Sequence, residues 1–169
     1  MIIRTETTGD MVAIRNINEQ AFGRPAEANL VDALRRNGKV TLSLVAEDDG
    51  RIVGHILFSP VTIELSDDHF AGVGLAPVAV LPERQNRGIG SLLVKRGLER
   101  CREAGYQFAV VLGHPEYYPR FGFVPASRFN IKCEYDVADE VFMAMELQDG
   151  ALGNCAGVVK YQVEFNEVE

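Results

Sequence analysis

The spacing of apolar positions along the 169-residue chain changes several times, and each change marks an element. Residues 1–5 read as a short first strand. From Thr8-Gly9-Asp10 onward the spacing becomes helical. Met11, Ile14, Ile17 and Ala21 then share a face, with Asp10 available as N-cap. Gly23-Arg24-Pro25 breaks that helix. A second helix over 26–36 turns Leu30, Val31 and Leu34 inward, and Gly38 follows its end. Residues 42–47 and 51–58 read as strands joined by an Asp-Gly hairpin turn, with 61–65 extending the second past Pro60. A further turn falls at 66–69. Residues 71–81 are largely apolar, as suits a buried central strand. A long helix over 87–104 carries Ile89, Leu93, Gly97, Cys101 and Ala104 in one stripe, with Gly105 as its stop. A buried strand follows at 108–112, then at most a short helix over 117–121. Residues 142–147 form a late strand. Residues 157–165 alternate through Val159, Tyr161, Val163 and Phe165 and read as one strand more.

This order predicts a mixed α/β (α+β) domain around one sheet, with 71–113 forming a right-handed parallel crossover. The length suits one domain. The longest unbroken apolar run, 73–81, is far short of the roughly 20 residues a membrane helix needs. The first residues lack a basic stretch followed by an apolar one. Cys101, Cys133 and Cys155 are odd in number and widely spaced, which gives neither a disulfide framework nor a zinc pattern. A cytoplasmic protein with no metal and no membrane partner is expected.

Net charge is −7, unevenly spread. Residues 1–132 carry 16 basic and 15 acidic side chains, whereas 133–169 set Lys160 against nine acids, a net −8. Phosphates would be repelled there, so nucleic acid is not an expected partner. A cationic substrate would be attracted, although a plain solvated face is the blander reading.

The chemistry concentrates in 77–91. A buried strand ends, a polar loop follows, and Gly88 and Gly90 open the long helix. The first amides of a helix have no intrahelical partner and lie at the positive end of its dipole. They suit a phosphate or pyrophosphate. Arg84, Arg87, Lys95 and Arg96 add charge nearby, as cofactor contacts or as ordinary surface charges. No Walker run is present, and Leu93 stands where the dinucleotide fingerprint needs a small residue. What remains is Gln85-Asn86-Arg87-Gly88-Ile89-Gly90.

That Gln/Arg-x-x-Gly-x-Gly pattern resembles the acyl-CoA pyrophosphate loop of the GNAT superfamily of N-acyltransferases. The preceding strand, Leu75 to Val80, resembles the family's bent central strand, with Pro77 unable to donate a ladder hydrogen bond. Tyr118 stands four residues before Gly122-Phe123, similar to the family's Tyr-x-x-x-Gly-Phe element.

The resemblance implies a GNAT-like fold over residues 1–147. Its mostly antiparallel central sheet would have about seven strands and a parallel βαβ crossover, flanked by helices. Residues 148–169 would form an extension packing on or continuing that domain. Acetyl-CoA would be the co-substrate and a small-molecule or peptide amine the acceptor, a cationic one suiting the acidic balance. Gln85 and the amides of Arg87, Gly88, Ile89, Gly90 and Ser91 would hold the pyrophosphate. Val78 and Val80 would hold pantetheine by their backbones, and Tyr118 would protonate the departing thiolate. A non-catalytic acyl-CoA sensor is the alternative.

No acid lies between Gly72 and Leu81 to deprotonate the amine. Glu27, Glu64, Asp67, Glu116 and an ordered water remain open as bases. His114, in Gly113-His114-Pro115, reads either as a base or CoA contact or as a solvated loop residue. Tyr117 reads as pocket lining or packing. Cys101 reads as a packing residue, His55 as structural or surface, and Met143 and Met145 as core. An edge strand over 158–165 would pair across a homodimer.

Overall fold

The computed structural model describes residues 1–65 and 68–168. They form two compact units, Met1–Ser59 with Ala76–Gly97 and Val163–Glu169, and Pro60–Leu75 with Leu98–Gln162.

In the first unit, β1 (Ile2–Thr5) and β2 (Leu42–Asp48) pair antiparallel, Ile2 opposite Glu47 and Thr5 opposite Leu44. β2 turns back into β3 (Arg51–Leu65) at Asp49 and Gly50, both with positive φ, the two-residue hairpin the Asp-Gly pair predicts. Two helices cover this sheet. The first is α1 (Met11–Phe22) and the second α2 (Ala26–Arg36), which matches its expected bounds. Ile14 from α1 and Leu30, Val31 and Leu34 from α2 bury against Val45 and Leu57, with Phe165 and Val168 packed on the same cluster. Glu27 in the first turn of α2 and Arg35 and Arg36 in its last complement the helix dipole.

One N-terminal expectation holds in position but not in bonding: Asp10 stands at the N-cap of α1. Asp10 does not cap α1 with its side chain. A 3-10 turn over Thr8–Asp10 comes first. The Asp10 carboxylate reaches back to the Thr7 amide at 2.7 Å and meets Arg4 Nη1 at 2.7 Å. Arg4 draws it away, so Asp10 closes a capping box one turn earlier.

β4 (Asp68–Val80) and α3 (Ile89–Glu103) complete the positioning of the site. Close approach of α3 needs two glycines. A Cβ on Gly97 would lie 2.3 Å from the Phe58 ring, and one on Gly54 would lie 3.0 Å from Leu93. The α3 stripe is buried at Ile89, Leu93, Gly97 and Cys101 and ends there, because Ala104 is exposed.

The second unit has the strand order β7-β9-β3-β4-β5-β8-β6. Its strands are β5 (Phe108–Leu112), β6 (Val124–Pro125), β7 (Ile131–Cys133), β8 (Phe142–Glu146) and β9 (Gly157–Lys160). β4 and β5 are parallel, joined through α3, as the crossover requires. β7 and β9 are also parallel, whereas β3 with β9, β5 with β8 and β6 with β8 are antiparallel. Among the described residues the sheet has nine strands where about seven were expected, and it is mixed α/β and mostly antiparallel as expected. The extra strands, β6 and β7, are two and three residues long, too short to leave a period in sequence.

The strand expected over 157–165 stops at Lys160, and Val163–Glu167 is a 3-10 turn. β9 pairs with β3 on one side and β7 on the other. It is therefore not an edge, and the reason given for pairing across a homodimer is gone. The turn expected at 66–69 falls partly outside the described residues. Among the described residues no helix is long and apolar enough to cross a membrane.

Candidate active site

In the first unit, β4 ends at Val80 and the chain is turned toward α3 by two hydrogen bonds and a 3-10 turn. Leu81 N–H donates to Val53 O at 3.0 Å. Pro82–Arg84 forms a 3-10 turn, its proline at the first position. Gln85 Nε2 donates to Val80 O at 3.0 Å, which ties the loop to the strand it left. Glu83 and Arg84 fasten it to the β2–β3 hairpin through Arg51, at 3.1 Å, and Asp48. Arg84 is thus engaged by a carboxylate rather than left for a ligand.

Past these anchors the backbone alternates in hand. Asn86 has φ +63 and Gly88 φ +83. The first intrahelical bond at the start of α3 runs from Leu92 N–H to Gly88 O at 3.0 Å. The amides of Gly88, Ile89 and Gly90 precede it and so have no carbonyl one turn back. A Cβ on Gly88 would meet nothing within 4 Å. Glycine there serves the positive φ and leaves open space beside the amides. Arg87, Lys95 and Arg96 are exposed, and no ion pair described involves them. A doubly charged phosphate fits this setting on dipole, donors and room.

On β4, Ala79 is buried and Val78 and Val80 are half-buried, so the latter two share the more open face. The ladder between β4 and β5 covers Val73 and Gly74 only, and Pro77 has no N–H to extend it. The Ala76–Pro77 peptide is cis.

Tyr118 belongs to the second unit. His114 O accepts the Tyr117 amide at 3.1 Å, starting the 3-10 turn Tyr118–Phe121. Gly122, with φ +107, ends it in the left-handed region and sends Phe123 into the core. The Tyr118 ring is 7% exposed. It packs edge-on against Tyr117 at 5.0 Å and Phe123 at 5.8 Å, and a Cβ on Gly113 would strike it at 2.3 Å. Burial first, and Tyr117 second, push its phenol up to about 12. The spacing of Tyr118, Gly122 and Phe123 is therefore that of one packed turn.

The open base candidates separate by environment. Glu27 is buried and held by Arg24 at 2.6 Å. Glu64, Glu116 and His114 are exposed, and Asp67 lies outside the described residues. Cys101 is 1% exposed, its thiol pushed up to about 12 by burial, which suits packing and not nucleophilic attack. Met143 and Met145 are core residues.

His55 is fully buried, between Asn18 Nδ2 at 3.2 Å and Ser43 Oγ at 2.9 Å. Sequence gave no sign of this trio, because its members lie on separate elements. The order Ser-His-Asn resembles a nucleophile's relay, but the proton sits wrongly. Asn18 Nδ2 donates to Ile14 O and to His55 Nδ1, so Nε2 carries the hydrogen and donates to Ser43. The ring cannot then take the serine's proton. Burial above all, then Arg35, brings its pKa down to about 3, which keeps it neutral. Ser43 borders a cavity of about 360 Å³ shared with Thr5, Arg35 and Thr41, which contains none of residues 84–91.

A family model described as an acetyltransferase (GNAT) domain matches residues 2–126. The uncharacterized N-acetyltransferase YhbS of Escherichia coli K12 is 38% identical over 167 residues, covering 98% of this chain and 99% of its own. YjhQ of the same strain, also described as an N-acetyltransferase, is 42% identical over 120 residues, 70% of this chain and 66% of its own. The crystal structure of YhbS in complex with CoA superposes with a TM-score of 0.92 at 37% identity, over 98% of this chain and 91% of that one. A GNAT acetyltransferase from Brucella melitensis in complex with acetyl-CoA gives 0.81 at 38% identity, over 97% of both chains.

Proposed function

The chain belongs to the GNAT family of acetyltransferases, and from that premise we propose that it moves the acetyl group of acetyl-CoA directly onto a primary amine within a ternary complex. The observation that carries the cofactor is the start of α3, where amides ahead of the first helical bond face open space at Gly88. The complexes of YhbS with CoA and of the Brucella protein with acetyl-CoA support it.

In this reading the amides from Arg87 to Ser91 hold the pyrophosphate, with the exposed Arg87 side chain beside them. The Gln85 side chain acts indirectly, by fixing the loop to Val80. The backbones of Val78 and Val80 hold pantetheine, and an amide near Val80 polarises the thioester carbonyl. The neutral amine adds to the carbonyl carbon, the carbon–sulfur bond breaks, and the Tyr118 hydroxyl protonates sulfur. The surplus proton on nitrogen leaves to solvent, and Tyr118 is reprotonated. A phenol near 12 is a weaker acid than a thiol near 8.5. The transfer is therefore uphill alone and must accompany bond cleavage.

Free-thiol release from acetyl-CoA across a panel of primary amines tests this. Transfer to any of them also counts against the sensor alternative. Tyr118→Phe should lower kcat about 100-fold while acetyl-CoA affinity holds. Equal kcat in the variant across pH removes Tyr118 from the mechanism.

A further inference from the structure

The buried trio of the first unit ends at a cavity, and the order of its protons decides what that cavity can take. Asn18 and His55 are fully buried, and Ser43 is 3% exposed. Asn18 Nδ2 donates to Ile14 O at 3.0 Å and to His55 Nδ1 at 3.2 Å, so His55 Nε2 donates to Ser43 Oγ at 2.9 Å. The hydroxyl hydrogen of Ser43 cannot be directed back at that N–H, and no group among the described residues accepts it. A chain of donors polarises the last of them, and a buried donor without a partner costs free energy. Ser43 borders the cavity of about 360 Å³, which is the side from which an acceptor can reach it.

The other lining residues narrow the class of ligand. The charged residues on the wall, Arg35 and Glu6, hold each other, Arg35 Nη2 meeting the two carboxylate oxygens at 2.9 and 3.1 Å. Arg35 Nη1 meets Asp32 at 3.3 Å. An ion entering the cavity would therefore lose its hydration without gaining a counter-charge. Met11, Val40 and Leu42 supply an apolar wall, and Val40 packs on the core cluster beneath. Thr41 adds a hydroxyl oxygen able to accept an N–H. An uncharged amide on a short alkyl chain matches all three features.

We infer that this cavity is a second ligand site, which takes an uncharged amide by its carbonyl oxygen on the Ser43 hydroxyl. Its lining contains none of residues 78–91 and not Tyr118, so the inference goes beyond acetyl transfer and holds or fails without it. Ser43 acts here as a donor only, and no covalent bond is made or broken.

Backbone amide signals of the isotope-labelled full chain, followed by NMR at neutral pH, compare pentanamide with pentanoate and n-pentylamine. Pentanamide should move the signals of Thr5, Thr41 and Ser43 with a dissociation constant of about millimolar order. The two ions should bind at least about tenfold more weakly. Ser43→Ala should weaken pentanamide about tenfold and leave the ions unchanged. Where that variant fails to fold, Thr41→Phe fills the cavity without touching the trio and should abolish the pentanamide shifts at Thr5 and Ser43. Equal affinity for the three probes, a preference that survives Ser43→Ala, or shifts that survive Thr41→Phe overturn the inference. No shift at about 100 mM pentanamide means a cavity that holds water alone, and overturns it too. A purely structural Ser43 would lower the unfolding temperature of Ser43→Ala and leave pentanamide affinity unchanged, which is equally contrary.

Discussion

Of the residues whose proton affinities are moved far by their surroundings, two give tests. Tyr118 has its phenol raised to about 12, so it stays protonated as pH rises through the ordinary tyrosine range. Loss of its proton should therefore add no falling limb to the kcat profile between about pH 7 and 10. A falling limb below pH 10 that disappears in Tyr118→Phe would contradict this environment. His55 goes the other way, from 6.5 in the unfolded chain to about 3 when folded. Between those values the unfolded state binds a proton that the native state does not, so stability is full above 6.5 and falls as pH drops. From pH 7 to 5 the loss should be about 2 kcal/mol in urea unfolding. His55→Gln should flatten that slope, and an unchanged slope would assign it elsewhere. Individual residues were unevenly legible. Cys101 and the two methionines could be placed from strand and helix parity, whereas the Asn18–His55–Ser43 trio joins distant positions that no local pattern links. Asp10 was read as a cap because the carboxylate's other partner, Arg4, comes from a strand that sequence does not dock.

At the scale of elements, the helix α2, the hairpin at Asp49-Gly50 and the strand β5 follow directly from period and turn chemistry. The 157–165 segment misled because its alternation continues past Lys160, where Gln162 turns its side chain to Pro60 O at 2.9 Å and strand pairing ends. The start of α3 was legible because the two glycines, the strand before and the helix after are all local. Two substitutions separate its packing from its binding role. Gly97→Ala should gain helix propensity yet cost about 1–3 kcal/mol overall, because the new methyl meets the Phe58 ring. A more stable variant in urea would show that α3 can ride higher on β3. Gly88→Ala meets no protein atom, so its stability cost should be about 1 kcal/mol, from positive φ alone. Its acetyl-CoA dissociation constant should rise more than about tenfold, because the methyl points where phosphate must approach. Unchanged affinity would move the phosphate away from Gly88.

For the whole molecule, the mixed sheet with a parallel β4–β5 pair is the frame on which the turn into α3 and a buried tyrosine are built. Likeness in fold alone would not fix an activity, but the GNAT model spans residues 2–126 and YhbS matches nearly the whole chain. The central claim is that the start of α3 receives the pyrophosphate of acetyl-CoA. Thermal unfolding with acetyl-CoA, free CoA and NADH in parallel tests it most directly. A ligand at about 100 times its dissociation constant stabilises the native state by roughly 2.7 kcal/mol, a rise of about 5–11 °C for a domain of this size. Acetyl-CoA and CoA should each produce that rise in the natural protein and lose most of it in Gly88→Ala, and NADH should produce none. No rise with either CoA form, or an equal rise with NADH, would contradict the account.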